Sequence, residues 1–180
     1  MSRKHAWWLV AAIASIALVA GFSLASRHFA TSGAGMSAEA FFARTFNDLD
    51  GQPTEMARWK DRIVVVNFWA TWCPPCVEEM PDLQRVHDEY AERGVTVVGL
   101  GIDSPSALKR FRDDHLLSLP LYAAGASGSE LGRALGNPSG ALPYTILVDR
   151  KGRIVHSRLG QIQPAELRRW LDAQIRASAR

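Results

Sequence analysis

Residues 63–80 read IVVVNFWATWCPPCVEEM, and this stretch decides the fold. Its first eight residues (63–70) are apolar except for Asn67 and rich in β-branched side chains. A central strand buried on both faces has this composition. The residues after Cys73 carry Leu83, Val86, His87 and Tyr90 at helical spacing, which predicts a helix to about Arg93 whose apolar side faces the sheet. Pro81 lies inside that helix, where a proline removes one backbone donor and kinks the chain. Both cysteines of the chain, Cys73 and Cys76, therefore fall at the junction of a buried strand and a helix.

That junction has a chemical logic. The first turn of a helix offers free N–H groups and the positive end of the macrodipole, and both stabilise a thiolate. The thiolate is the species that attacks a disulfide. Two intervening residues let the second thiol reach the resulting mixed disulfide. Cys73 is read as the attacking residue and Cys76 as the resolving one. Two sulfurs carry two electrons, so no cofactor and no metal is expected. Three other readings of the pair compete. A structural disulfide closing so short a loop gains only about 2 kcal/mol on a chain-entropy estimate. Zinc needs two further ligands, and His5, His28, His87, His115 and His156 show no paired spacing. A Cu(I) carrier would use the thiolates, but no methionine cluster accompanies them.

The elements on either side alternate. Residues 41–49 are expected to be extended, with a turn at Asp50-Gly51, a small hairpin before Pro53, and one helical turn over 56–60. Gly94 suits a helix C-cap, and residues 95–102 (VTVVGLGI) form a second buried strand. Ser104 and Pro105 open a helix carrying Leu108, Phe111 and Leu116 on its packed face. A short strand over 119–122 and a short helix over 129–135 follow, then a loop over 137–140. Residues 144–149 and 153–159 form a hairpin across Arg150-Lys151-Gly152. Pro164 opens a last helix with Leu167, Trp170, Leu171 and Ile175 as its core stripe. A β-β unit, a βαβα unit, a β-hairpin and a helix make an α/β fold, a mixed sheet flanked by helices on both faces.

The chain has 180 residues, 47% hydrophobic and 22% charged, which fits one globular domain and excludes a disordered or polytopic chain. Its formal net charge of +3 comes from 21 basic and 18 acidic residues. Arg3, Lys4 and Arg27 flank the first apolar stretch and account for the whole excess. The rest is balanced, so no basic face points to nucleic acid. Residues 6–25 carry no charge and match the roughly 30 Å of a hydrocarbon core as a helix. The expected organisation is a membrane anchor over 1–26, a tether over 27–37 and a folded domain over 38–180. Cleavage after Ser23-Leu24-Ala25, leaving a soluble exported protein, is the alternative. Either way the domain lies outside the cytoplasm.

The segment VNFWATWCPPCVEEMP (66–81) resembles the active-site region of the thioredoxin superfamily. More narrowly, the chain is similar to the membrane-anchored TlpA-like and ResA-like (DsbE/CcmG-like) thiol-disulfide oxidoreductases. The similarity runs from about Phe41 to Ala177. It includes the DLDG turn (48–51), the WCPPC segment, a βα insertion over about 102–141, and LPYTILVDRKGRI (142–154).

The resemblance implies a thioredoxin-like fold and a protein disulfide reductase on the periplasmic side of a bacterial inner membrane. Client proteins with disulfides or thiols, in cytochrome c maturation or oxidase copper-site assembly, would be its partners. A membrane electron donor of the DsbD or CcdA type would re-reduce it. A dithiol oxidase, a Cu(I)-delivery protein and a peroxidase are the alternatives. By the same resemblance Pro143 matches a cis-proline facing the disulfide, with the Leu142 backbone presenting an edge to a client peptide. Trp72 covers one side of the thiol pair, or else packs in the core. Thioredoxin has a buried aspartate where this chain has Asn67, and Glu79 stands where ResA-like proteins carry a glutamate. Three residues past Cys76, it shares a helix face with that thiol and is expected to take its proton, whereas Glu78 is expected to be solvated. Pro74 and Pro75 lack N–H donors for the Cys73 sulfur, which favours a reductant.

Overall fold

The computed structural model describes residues 36–178. The apolar segment 6–25 and most of the tether lie outside these residues, as do the expectations placed on them. Among the described residues no helix is long and apolar enough to cross a membrane.

A short helix α1 (Glu39–Phe42) leads into the hairpin β1 (Thr45–Asp48) and β2 (Pro53–Glu55), followed by a 3₁₀ turn at Met56–Trp59. The central strand β3 (Ile63–Trp69) precedes the long helix α2 (Pro74–Tyr90). Then come β4 (Val95–Gly101), α3 (Pro105–Asp114), β5 (Leu121–Ala123) and α4 (Gly125–Ala134). The chain closes with β6 (Tyr144–Val148), β7 (Ile154–Leu159) and α5 (Pro164–Ser178). The strands form one sheet in the order β2-β1-β5-β4-β3-β6-β7. β3 runs parallel to β4, and β4 to β5, while β6 and β7 are antiparallel additions.

Alternation along β3 sorts the core into two layers. Ile63, Val65 and Trp69 pack with residues of α2, α3 and α5. Val64, Val66 and Phe68 pack on the other face with Phe41, Phe42, Leu131 and Leu135. All seven β3 residues and all seven β4 residues are buried, as their near-continuous apolar runs require. Gly94 ends the turn after α2 at φ 78°, the left-handed conformation that favours glycine. His87 faces the sheet half-buried, and its Nδ1 accepts from the Val97 N–H at 3.3 Å.

Several expectations are corrected. Residues 41–49 are not extended throughout: Ser37 Oγ accepts the Glu39 N–H at 3.1 Å, α1 forms, and Phe41 and Phe42 are buried by it. Local extended preference yields here to burial of two aromatic rings. The helix expected over 129–135 starts four residues earlier, at Gly125. Leu116 is not on the packed face of α3; it is 88% exposed at φ 52°. The reason is a Schellman ending, in which Leu117 N–H reaches Arg112 O at 3.0 Å and Leu116 N–H reaches Asp113 O at 3.3 Å. That turn sends Leu117, rather than Leu116, into the core. In α5 the expected stripe divides: Leu167 and Leu171 are buried, while Trp170 and Ile175 are half-buried at its margin.

Candidate active site

Cys73 is the N-cap of α2, in extended conformation at φ −102° and ψ 102°, and Pro74 and Pro75 occupy the first turn. A residue before proline is steered to this region, so the Pro-Pro pair itself fixes where the helix begins. Cys73 and Cys76 are joined, with Sγ–Sγ 2.11 Å and Cα–Cα 5.3 Å. Cys73 is 5% exposed and Cys76 fully buried, so one sulfur lies nearer to solvent and the other behind it. The N–H groups of Cys76 and Val77 both donate to Cys73 O, at 3.0 and 3.1 Å.

Trp72 is 64% exposed and therefore not part of the core. The Leu142–Pro143 bond is cis. Pro143 is buried, its carbonyl accepts the Gly160 N–H at 2.8 Å, and Leu142 is half-buried. Pro74 is exposed and Pro75 half-buried. The Thr71 hydroxyl donates to the Asp103 carboxylate, and the Ile102 N–H donates to Trp69 O at 2.8 Å. These contacts tie the loop before Cys73 to the end of β4.

Glu79, three residues past Cys76 on α2, has no exposed surface, whereas Glu78 beside it is exposed. Its Oε1 accepts from Asn67 Nδ2 at 2.7 Å and its Oε2 from the Ile162 N–H at 2.9 Å. Burial pushes its carboxyl up to about 7, and these two neutral donors offset only part of that rise. Asn67 also donates from Nδ2 to Thr145 Oγ1 at 3.0 Å. Asn67 and Thr145 are direct partners across the β3–β6 register. Their side chains therefore leave the sheet on the same face, toward α2.

Sequence reasoning placed Cys73, Cys76 and Glu79 but missed Asp103, Thr145 and the backbone of Ile162. A backbone donor has no side-chain signature, and the Asn67–Thr145 contact depends on strand register. Among the described residues no group of three or more His, Cys, Asp or Glu side chains is placed to hold a metal ion. A cleft of about 470 Å³ lined by Asp50, Arg58, Arg112 and Tyr122 contains no residue of the cysteine motif. The disulfide follows the carboxyl end of the central strand β3, at the start of α2.

Comparison with known proteins agrees with this geometry. Residues 34–171 match the family model described as Redoxin. The chain is 31% identical over 159 residues to a thiol-disulfide oxidoreductase ResA of Halalkalibacterium halodurans, covering 88% of each chain. A thiol:disulfide interchange protein of the thioredoxin family from Chlorobium tepidum superposes with TM-score 0.67 at 27% identity, over 78% of this chain and 97% of that one. A secreted thiol-disulfide isomerase from Corynebacterium glutamicum superposes with TM-score 0.63 at 25% identity, over 74% and 81%.

Proposed function

Because the chain belongs to the Redoxin family and is a thiol-disulfide oxidoreductase of the ResA/DsbE type, we propose that it reduces disulfides of client proteins outside the cytoplasm. The observation that carries this reading is the Cys73–Cys76 pair at the start of α2, on a helix whose buried Glu79 carboxyl has no cation beside it among the described residues.

The reaction balances on the residues present. The Cys73 thiolate attacks one sulfur of a client disulfide; the client's other sulfur leaves as a thiolate and takes a proton from water. Cys76 gives its proton to Glu79 and attacks Cys73 Sγ. The bond between Cys73 and the client breaks, the client leaves fully reduced, and the Cys73–Cys76 disulfide remains. Two electrons pass to the client. Leu142 and cis-Pro143 offer backbone to an extended client segment, and Trp72, Pro74 and Pro75 offer it an apolar surface.

Reduction is the direction supported by Pro74 and Pro75. The first N–H groups of the helix belong to Cys76 and Val77, and both are engaged by Cys73 O. Fewer donors reach the Cys73 sulfur, so the thiolate is stabilised less and the disulfide is less oxidising. The secreted Corynebacterium relative and the uncharged segment 6–25 support an extracytoplasmic domain held by its N-terminus. Oxidising compartments supply no reductant, so a membrane donor of the DsbD or CcdA type recharges the pair. Clients would be apocytochrome c thiols or copper-site thiols of an oxidase subunit.

Equilibration of the full-length protein with thiol buffers tests the direction. A reduction potential below about −230 mV is expected, and one above about −150 mV would make the protein an oxidant and overturn the reading.

A further inference from the structure

Strand β4 has a strand neighbour along only part of its outer edge. β3 pairs with it over its whole length on one side, whereas β5 pairs with it on the other side only at Gly99–Gly101. The Gly99 N–H donates to Pro120 O and Gly101 O accepts the Ala124 N–H, both at 2.9 Å, so these two residues turn their backbone groups toward β5. Alternate residues of a parallel strand face the same neighbour, so Val97 faces that side as well. β5 begins too late in the chain to receive its N–H. The His87 ring of α2 takes that place, Nδ1 accepting the Val97 N–H at 3.3 Å. One turn earlier on α2, Gln84 Oε1 accepts the N–H groups of Ser118 and Leu119, at 2.7 and 2.9 Å, where the chain diverges from β4. Side chains of α2 thus stand in for the missing length of β5.

We infer that His87 is an acid-sensitive latch between α2 and the outer edge of β4, closed while its imidazole is neutral and opened when the ring takes a second proton. A neutral imidazole has one N–H and one acceptor nitrogen. Val97 requires the acceptor at Nδ1, which places the ring proton on Nε2. An imidazolium has an N–H at both nitrogens, so neither this ring position nor its half-turn offers Val97 an acceptor. Val97 is fully buried, and its N–H then becomes a buried donor without a partner. The strand edge regains a partner only when this part of α2 draws back and water reaches the N–H. The same helix begins with Cys73 and Cys76, so the latch fastens the far half of the helix that carries the disulfide.

The surroundings of the ring favour its neutral form. Burial pushes His87 below its ordinary value of 6.5, and the neighbouring Asp88 carboxylate opposes this only in part. Asp88 is itself engaged by Gln84 Nε2 at 2.8 Å. β4 carries no ionisable side chain, and neither does the segment 117–120. Arg62 reaches β4 at Thr96 Oγ1, on the opposite face from Val97. At the end of α3, His115 is held by its own helix, Nδ1 lying 3.0 Å from Phe111 O and the ring stacked on Phe111. From α5, Arg168 is engaged by Glu89 and Asp172 by Arg93. The sign follows: His87 supports the fold above its ordinary value, and that support is lost as pH falls through its lowered one.

Nuclear magnetic resonance of the oxidised full-length protein in detergent, followed from neutral to acidic pH, tests the latch. The ring nitrogens of His87 are identified by their loss in His87→Gln. At neutral pH the proton is expected on Nε2, and the ring is expected to titrate below 6.5. The Val97 amide proton should move upfield with the same midpoint, and its protection against hydrogen exchange should fall about ten-fold. His87→Gln offers a carboxamide oxygen in place of Nδ1 and does not titrate, so Val97 should lose its pH dependence there. A Val97 signal and protection that stay constant while His87 titrates would overturn the inference, and wild type alone decides this if His87→Gln does not fold. A neutral ring with its proton on Nδ1 would overturn it too. So would a Val97 transition that persists in His87→Gln or follows Glu79, at about 7, instead.

Discussion

Glu79 and Asp149 are buried carboxylates at opposite ends of β6, and their surroundings move them in opposite directions. Near the first end, Asn67 links Thr145 to Glu79. Just past the other end, Asp149 closes the β6–β7 turn. Burial alone would raise both groups. At Asp149 that push is overcome by the Arg153 N–H, the Arg153 guanidinium and the Lys151 N–H, and its carboxyl lies below the ordinary value. The guanidinium is bidentate on Oδ2, at 2.9 and 2.6 Å. Among the described residues Glu79 has two neutral donors and no cation beside it, so burial wins and its carboxyl rises to about 7. The difference separates two uses of a buried acid. One is held toward its charged form and closes a turn; the other is pushed toward its neutral form, three residues past Cys76.

The largest way to sharpen this comparison is to remove the chemistry from one end only. Cys73→Ser and Cys76→Ser are each expected to reduce turnover of a client disulfide to background, while Asp149→Asn leaves it near wild type. Cys76→Ser keeps the mixed disulfide with the client and Cys73→Ser forms none, which non-reducing electrophoresis would reveal. A trapped species in Cys73→Ser instead would reverse the roles of the two thiols.

Next in size is the pH dependence of stability. Glu79 holds its proton more tightly when folded, so its contribution is full below its ordinary value of 4.5 and is lost as pH rises through about 7. That span corresponds to about 3 kcal/mol. Urea unfolding of the oxidised protein between pH 4 and 8 should show wild type losing about this much relative to Glu79→Gln. Parallel curves for the two proteins would sink the assignment.

Asp149 should behave with the opposite sign. Its contribution is present above its ordinary value of 3.8 and is lost as pH falls through its lowered one. Asp149→Asn is expected to cost about 1–3 kcal/mol at pH 7, through weakened bonds to Arg153 and Lys151. The cost should shrink toward pH 3. A cost that stays constant across this range would mean that charge contributes nothing at the turn.

What the sequence showed, and what it hid, follows from how local each signal is. β3 and β4 were legible because a strand buried on both faces must be apolar at nearly every position. The start of α2 was legible because Pro74 and Pro75 determine the conformation of Cys73 before them. Glu79 was legible by its spacing from Cys76, and the Pro143 bond by resemblance. The rest depends on distant partners. Helix α1 forms where the aromatic rings of Phe41 and Phe42 find burial, which no pattern within residues 41–49 encodes. Leu116 and Leu117 are both leucines, and only the geometry of the helix end decides which is buried. Asn67 meets Thr145 because β3 and β6 pair in one register, across 78 residues of chain.

Pro74 and Pro75 also act before the protein has folded. Two consecutive prolines hold an unstructured chain near the polyproline II conformation, which advances about 3.1 Å per residue. The Cα atoms of Cys73 and Cys76 then stand about 9 Å apart, beyond the roughly 7 Å that a disulfide can bridge. In the folded domain they are 5.3 Å apart. Winding the first turn of α2 is therefore what brings the sulfurs within reach. A nascent chain is shielded from closing this ring on itself, and the ring becomes available together with the surface that uses it.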